Sequence, residues 1–552
     1  MNKVKIFKDP IYGYVEIDDE LIKKVIDTPN FQRLRRIIQT SYSPLYATAL
    51  HNRFTHSIGV YHLGKIAIEV ILSKNSDLFS FFPNVKKIFL LACLLHDVGH
   101  APFSHTGEGF YLPEPKDDKQ TRDFTKIHEQ LKEAVNDNDF SNEIPETKSE
   151  IANPHEIMSA IIGLKQYPSL FIDSKERSFF ARAIVGYRYK SSSLQSDVLN
   201  CLIDLLNSEF IYVDKLDYLM RDAYMIGFES INIDYIRLLN ALQIFKTDDD
   251  EAFLVYSKNA ISVIENVVYA RDLEKKWIQL HPAVLYDMYL VQNSIKKLNK
   301  DVNIKTEDET DSETLFSYDA LTETGVKLKD DTFVHFLCDD DIVFLLKNKF
   351  PNEFFEAYLN RNNRMHPLWK SESEYIAYFL APFGDEDQKW INVTMKNLVK
   401  YITINGYASV NDSLIEAINK ECESLMDEAE PPELSSKERK KRKTERMDFL
   451  KILNPLKEFS AENHIDFDYA LLQNSQFISA FGKEDFSKIK ILFKENDKKS
   501  IKEFGKIASF DAKNSRGGAD NDFYYFFYRR TPETTSFNLE SLAEKIRDCC
   551  HE

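Results

Sequence analysis

Between His51 and His105 the chain sets imidazoles and carboxylates into apolar sequence, HNRFTHS followed by LACLLHDVGHAPFSH. A run such as IFLLACLLHD has to be buried, and the charged groups at its end are buried with it. Such burial is costly unless a metal or a partner compensates. The adjacent pair His96 and Asp97 offers neutral imidazole and carboxylate, good ligands for a divalent cation. Two ligands from neighbouring residues need others from elsewhere. His56, in the first turn of a helix expected over 55–72, supplies a third, and Asp214 in FIYVDKLDYLMRD a fourth. Each histidine alone reads as a satisfied structural residue, but their crowding around Asp97 turns the balance to a metal site. The fold must therefore return the 212–222 stretch to the 53–105 stretch.

A chain of 552 residues, 43% of them hydrophobic, can bury a large core and divides into more than one domain. Its net charge of −17 argues against a general nucleic-acid binder. The six cysteines lack metal-ligand spacing, and neither a leader nor a membrane-length apolar run is visible, so a reduced, cytoplasmic protein without membrane contact is expected.

The expected fold is mainly α: a helical core over 1–300 with a small N-terminal hairpin, then a mixed α/β region over 301–552. Residues 3–17 read as the hairpin, and helices follow from Asp19 and from Pro29. The 85–98 helix is apolar nearly all round, and Gly99 stops it. Residues 111–154 are polar and acid-biased; Phe124, Ile127 and Leu131 hint at one amphipathic turn pair, and the rest reads as a mobile surface insert. Helices are expected over 155–167 and 198–222 and near 231–245, 257–272 and 280–298. TEDETDSET (306–314) reads as an acidic linker or exposed loop, and WINVTM and YITING as β-like. The basic run 436–446 reads as a solvated helix face or a disordered tether, with a nucleic-acid or phosphate contact as the alternatives. The aromatics of FYYFFYRRTPE suggest an edge strand or subunit contact.

The motifs DPIYGYVEI (9–17), DTPNFQRLRRI (27–37), HNRFTHSIGV (51–60), LLHDVGHAPFSH (94–105) and YVDKLDYLMRD (212–222) resemble, in that order, those of the HD-domain deoxynucleoside triphosphate triphosphohydrolases. The likeness is to the branch holding the animal SAM-and-HD-domain enzyme and its bacterial relatives, and it covers about residues 1–290. It implies the metal ligands His56, His96, Asp97 and Asp214. These would hold one divalent ion per subunit, with manganese, iron, cobalt, zinc and nickel as candidates and Mg²⁺ arriving with the nucleotide phosphates. Arg53 and Lys215 supply positive charge beside the ligands, where the relatives contact the triphosphate. His105 is a candidate base or leaving-group acid, and His100 a candidate on the phosphate side. The relatives pair the His105 equivalent with an aspartate, and Glu108 stands here. The resemblance also implies a further catalytic histidine before a glutamate, and His155 fits it better than His128, which lies in the polar insert. Tyr218, Asp222 and Gln39 match positions that meet the sugar. Lys5, Asp27, Gln32 and Arg35 match an activating guanine-nucleotide site that implies a homodimer or homotetramer.

The expected reaction is dNTP plus water to deoxynucleoside and inorganic triphosphate, with GTP or dGTP as activator. Its rivals are an HD-family nucleotidase or signalling-nucleotide phosphohydrolase, and a nucleic-acid-associated HD nuclease. The basic run supports the nuclease, and the net charge opposes it.

Overall fold

The computed structural model describes residues 4–40, 45–112, 123–144, 151–208, 211–302, 304, 314–425, 436–475, 488–495, 498–507, 522–534 and 536–550. The architecture is mainly α with small sheets. It divides into two compact units, one of residues 1–279, 294–352 and 479–515, the other of 280–293, 353–478 and 516–552. Among the described residues no helix is long and apolar enough to cross a membrane.

The first unit opens with the antiparallel hairpin Val4–Asp9 and Gly13–Asp18, Asp9 facing Gly13, whose φ of 77° closes the turn. The helix Arg53–Asn75 starts where the Asn52 side chain accepts from the Thr55 N–H at 3.1 Å. Against it packs Val85–Leu95, buried on nearly every side as its composition requires. Gly64 permits that approach, since a Cβ there would stand 2.6 Å from Cys93 Sγ. Pro154–Gln166 begins with a proline in its first turn and a capping box, Glu156 Oε2 accepting from the Asn153 N–H at 2.7 Å. The expected 198–222 helix is two, Leu194–Leu206 and Val213–Ile226. In place of a helix over 231–245 there is the short Tyr235–Asn240, then a strand pair, Leu242–Lys246 with Ala252–Ser257. Lys490–Glu495 extends that sheet in parallel to Ala252–Ser257.

Within 111–154 the described residues include a docked helix. Thr125–Val135 buries Ile127, Leu131 and Val135 and packs on Pro154–Gln166. A 3.6-residue stripe within a polar sequence is enough to dock it. Most of the acidic 306–314 segment lies outside the described residues.

In the second unit WINVTM and YITI fall in one helix, Asp385–Ile404, which buries Ile391, Met395, Leu398 and Ile402. The β-branched residues misled, since the apolar spacing is helical. Asp522–Tyr528 is no edge strand: it lies between His366–Pro367 and Asp468–Ser475. Its six aromatic residues are all buried, among neighbours that include Trp369. The basic run begins the helix Ser436–Glu462, and Arg446 is folded in, against Glu421 at 3.0 Å and over the Tyr401 ring.

Candidate functional site

Three elements of the first unit bring four side chains around two ring nitrogens. His56 comes from the first turn of Arg53–Asn75, His96 and Asp97 from the end of Val85–Leu95, and Asp214 from the first turn of Val213–Ile226. His56 Nε2 and His96 Nε2 stand 3.2 Å apart, and Asp214 Oδ1 lies 2.9 Å from the first and 3.7 Å from the second. Asp97 carboxylate oxygens lie 3.6 Å from His56 Nε2 and 3.5 Å from His96 Nε2. His96 Nδ1 donates to the Cys93 carbonyl at 2.9 Å, and His56 Nδ1 to Asp217 Oδ2 at 2.7 Å. Both bonds aim the Nε2 lone pairs at one point, and outer partners of this kind orient metal-ligating histidines.

Such a set calls for positive charge. Burial disfavours a charged His56, yet Asp214 and Asp217 outweigh it and push its pKa up to about 10. Asp214 is held well below the usual carboxylate range, burial being overcome by hydrogen bonds to His56 and His96. Two imidazoles with converging lone pairs beside two carboxylates fit a divalent cation.

A second cluster centres on Glu108. Its Oε1 accepts from His155 Nδ1 at 2.6 Å and its Oε2 from His105 Nδ1 at 3.0 Å. His155 resists ionisation by burial, but Glu108 raises it to about 9. Its ring lies parallel to that of His100 at 4.1 Å. His100 is fully buried, and burial, with Arg53 and His155 nearby, keeps it neutral. His100 Nε2 comes within 3.3 Å of Asp97 Oδ1, and among the described residues neither ring nitrogen has a hydrogen-bond partner of good geometry. His105 is exposed, and His128 is buried against Phe124.

Arg53 is buried and donates to Asp97 Oδ2 at 2.8 Å, Ser104 Oγ at 2.9 Å and the Gln39 carbonyl at 3.2 Å. Lys215 is buried with its ammonium 4.4 Å from the Tyr212 ring centre. Gln39 is buried with Oε1 unpartnered, and Tyr218 is half-buried. Asp222 accepts from buried His51 at 2.7 Å. The four N-terminal residues form two pairs: Lys5 with Asp27 at 3.8 Å, and Arg35 donating to Gln32 Oε1 at 2.9 Å. Gln32 also donates to the Ile26 carbonyl, and the Arg35 guanidinium lies 3.5 Å from the centre of the Phe54 ring.

Sequence reasoning missed the support beneath His56. Asp217 also accepts from Tyr12 Oη at 2.6 Å and from Arg221 at 2.8 and 2.9 Å, and Arg221 reaches Asp9 at 3.0 Å. The i, i+4 spacing of Asp217 and Arg221 was a signal within one helix, whereas the partnership with Asp9 and Tyr12 had none. Arg33, also passed over, is buried and donates to the carbonyls of Val98, His100 and Leu337. The His51–Asp222 pair was equally invisible.

Residues 53–164 match the family model for the HD domain. The Deoxynucleoside triphosphate triphosphohydrolase SAMHD1 of Danio rerio is 32% identical over 249 residues, 43% of this chain and 36% of that protein. Its Homo sapiens counterpart is 28% identical over 313 residues, 54% and 42% of the two chains. The uncharacterized protein YwfO of Bacillus subtilis is 25% identical over 390 residues, 69% of this chain and 75% of its own. The chain thus spans less than half the length of the triphosphohydrolases it matches. A crystal structure of a hypothetical protein from Aquifex aeolicus shares the fold, with a TM-score of 0.51 and 19% identity over 99% of this chain and 100% of that one. The chain carries an HD domain, and it is a relative of the SAMHD1 triphosphohydrolases and of bacterial HD-domain proteins.

Proposed function

We propose that the chain is a metal-dependent phosphohydrolase acting on deoxynucleoside triphosphates, releasing deoxynucleoside and inorganic triphosphate. The observation that carries this is the pairing of a cation-demanding cluster, His56, His96, Asp97 and Asp214, with the His100–His105–His155–Glu108 cluster beside it. A divalent ion held by the first four would neutralise phosphoryl charge and activate water.

The chain's own residues do the rest. Arg53, fixed by Asp97 and Ser104, adds an immobile positive charge, and Lys215 a second from the next helix. Glu108 accepts from Nδ1 of both His105 and His155, so Nε2 is the atom on each ring that can exchange a proton. His155 carries its proton at neutral pH and suits the leaving oxygen, and exposed His105 can pass protons to solvent. In this reading Tyr218, Asp222 and Gln39 meet the sugar, and Asp222 is oriented by His51. Lys5, Asp27, Gln32 and Arg35 take a guanine nucleotide that activates the enzyme and favours a dimer or tetramer.

The test is chromatography of the products from dNTP, dNMP and a guanosine polyphosphate, with free deoxynucleoside as readout. Deoxynucleoside from dNTP supports the reading. Cleavage of the monophosphate or the polyphosphate alone assigns the site to a nucleotidase or a signalling-nucleotide hydrolase. With dNTP as substrate, the wild type should favour dNTP over NTP, and Tyr218→Ala should narrow that preference.

A further inference from the structure

The loop 98–105, which carries His100 and His105, has an unusual backbone. Phe103 and Ser104 both adopt positive φ, 59° and 53°. L-residues rarely take that conformation, and it persists only where the surroundings hold it. Much of the loop is strapped from outside. Ser159 Oγ accepts from the Gly99 N–H, Tyr111 donates to the Gly99 carbonyl, and Arg33 donates to those of Val98 and His100. The strap at the strained end comes from residue 339, far along the chain and outside the matched HD domain. Asp339 Oδ1 accepts from the Phe103 N–H at 2.7 Å, and its Oδ2 from the Ile38 N–H at 2.9 Å. The Ile38 carbonyl in turn accepts from the Ser104 hydroxyl, and Ser104 Oγ itself accepts from Arg53 Nε.

We propose that Asp339 is a positioning residue for this site: its carboxylate ties Phe103 to Ile38 and so fixes His100, His105 and Arg53. It deepens the phosphohydrolase reading above, and only its activity arm rests on that reading. Asp339 is also the first residue of the helix Asp339–Asn348, so the bland alternative is an ordinary acidic first turn. The contacts speak against that alternative. Asp341 closes the capping box, accepting from the Cys338 N–H at 2.8 Å, whereas both Asp339 oxygens are taken by the loop and by Ile38. Leu337, two residues earlier, gives its carbonyl to Arg33, so the same short segment braces the loop at two points.

Hydrogen exchange followed by mass spectrometry on the full chain tests this without substrate, comparing wild type, Asp339→Asn and the control Asp340→Asn. Asp340 is an exposed residue whose ion pair is with Arg36. An asparagine cannot accept from both N–H groups. Peptides covering 98–106 and 36–40 should therefore exchange faster in D339N by about 10-fold, the loss of one hydrogen bond. Peptides from Val213–Ile226 should be unchanged, and D340N should match wild type. In the activity arm kcat should fall about 100-fold in D339N, as misplaced catalytic groups imply, while D340N keeps the wild-type kcat and KM. Unchanged exchange over 98–106, or a rise shared by the whole unit, would overturn the proposal. Should D339N not fold, Asp339→Glu carries the same comparison. If wild type hydrolyses no nucleotide, the exchange arm still decides the role of Asp339, and it is the phosphohydrolase reading that fails.

Discussion

Gly59→Ala should damage the metal site without touching a ligand. Gly59 lies on Arg53–Asn75, facing the helix that carries Asp214 and Asp217. A Cβ there would stand 1.8 Å from Asp217 Oδ1 and 2.5 Å from an Arg221 guanidinium nitrogen. Real contacts are essentially never below 3.0 Å, so the carboxylate must retreat by at least about 1.2 Å. Its hydrogen bond to His56 Nδ1 is 2.7 Å and tolerates no such retreat. His56 then loses the acceptor that fixes its ring and tautomer, and loss of such an outer partner costs roughly 10- to 100-fold in metal affinity. Strain and the loosened Arg221 pair should add a destabilisation of about 1–3 kcal/mol. The assay is metal titration of the chelator-stripped protein, with thermal unfolding alongside. G59A that folds and binds metal as tightly as wild type would refute the claim that Asp217 organises the site through His56.

Three further outcomes are expected. His96→Ala or Asp97→Ala should lose bound transition metal, read by elemental analysis, because each deletes a group from the cation-demanding cluster. The His155–Glu108 pair should stabilise the fold in a defined window. Below the ordinary histidine value of 6.5 the raised His155 contributes fully, and the contribution, on the order of 3 kcal/mol at most, fades as pH rises through about 9. Glu108, held low, contributes above its ordinary 4.5 and loses on acidification. The melting-temperature difference between wild type and His155→Gln should therefore be largest between these two ordinary values and vanish above about pH 9. Finally, GTP or dGTP should raise dTTP hydrolysis by about 5- to 150-fold, and Arg35→Ala should abolish the rise with metal still bound. Full activity on dTTP alone would reduce Lys5, Asp27, Gln32 and Arg35 to scaffolding.

Much of the site could be read from the chain because its signals are local. His96 and Asp97 end an apolar run, His56 opens a helix, and the capped helix start at 153–156 presents His155. What stayed hidden depends on distant contacts. Asp217 reads as a second acid near Asp214, and only the return of Asp9 and Tyr12 from the hairpin shows it as the base beneath His56. Asp339 sits in an acidic triplet at a helix start, and nothing in that triplet points to residues 38 and 103. The misread elements in the second unit carried usable signals. Ile391, Met395, Leu398 and Ile402 keep helical spacing, and an unbroken aromatic run such as FYYFFY suits a strand covered on both faces better than an edge.

The central claim, one divalent ion at His56, His96, Asp97 and Asp214 driving release of triphosphate, is tested by a single titration. Chelator-stripped protein is supplied with Mn²⁺ in steps, and inorganic triphosphate formed from dGTP is measured at each step by ion chromatography. Triphosphate formation should rise with added ion and level off at one equivalent per chain, with equal amounts of deoxyguanosine. Undiminished triphosphate formation from the stripped protein, or a product of pyrophosphate and dGMP in place of triphosphate, would contradict it.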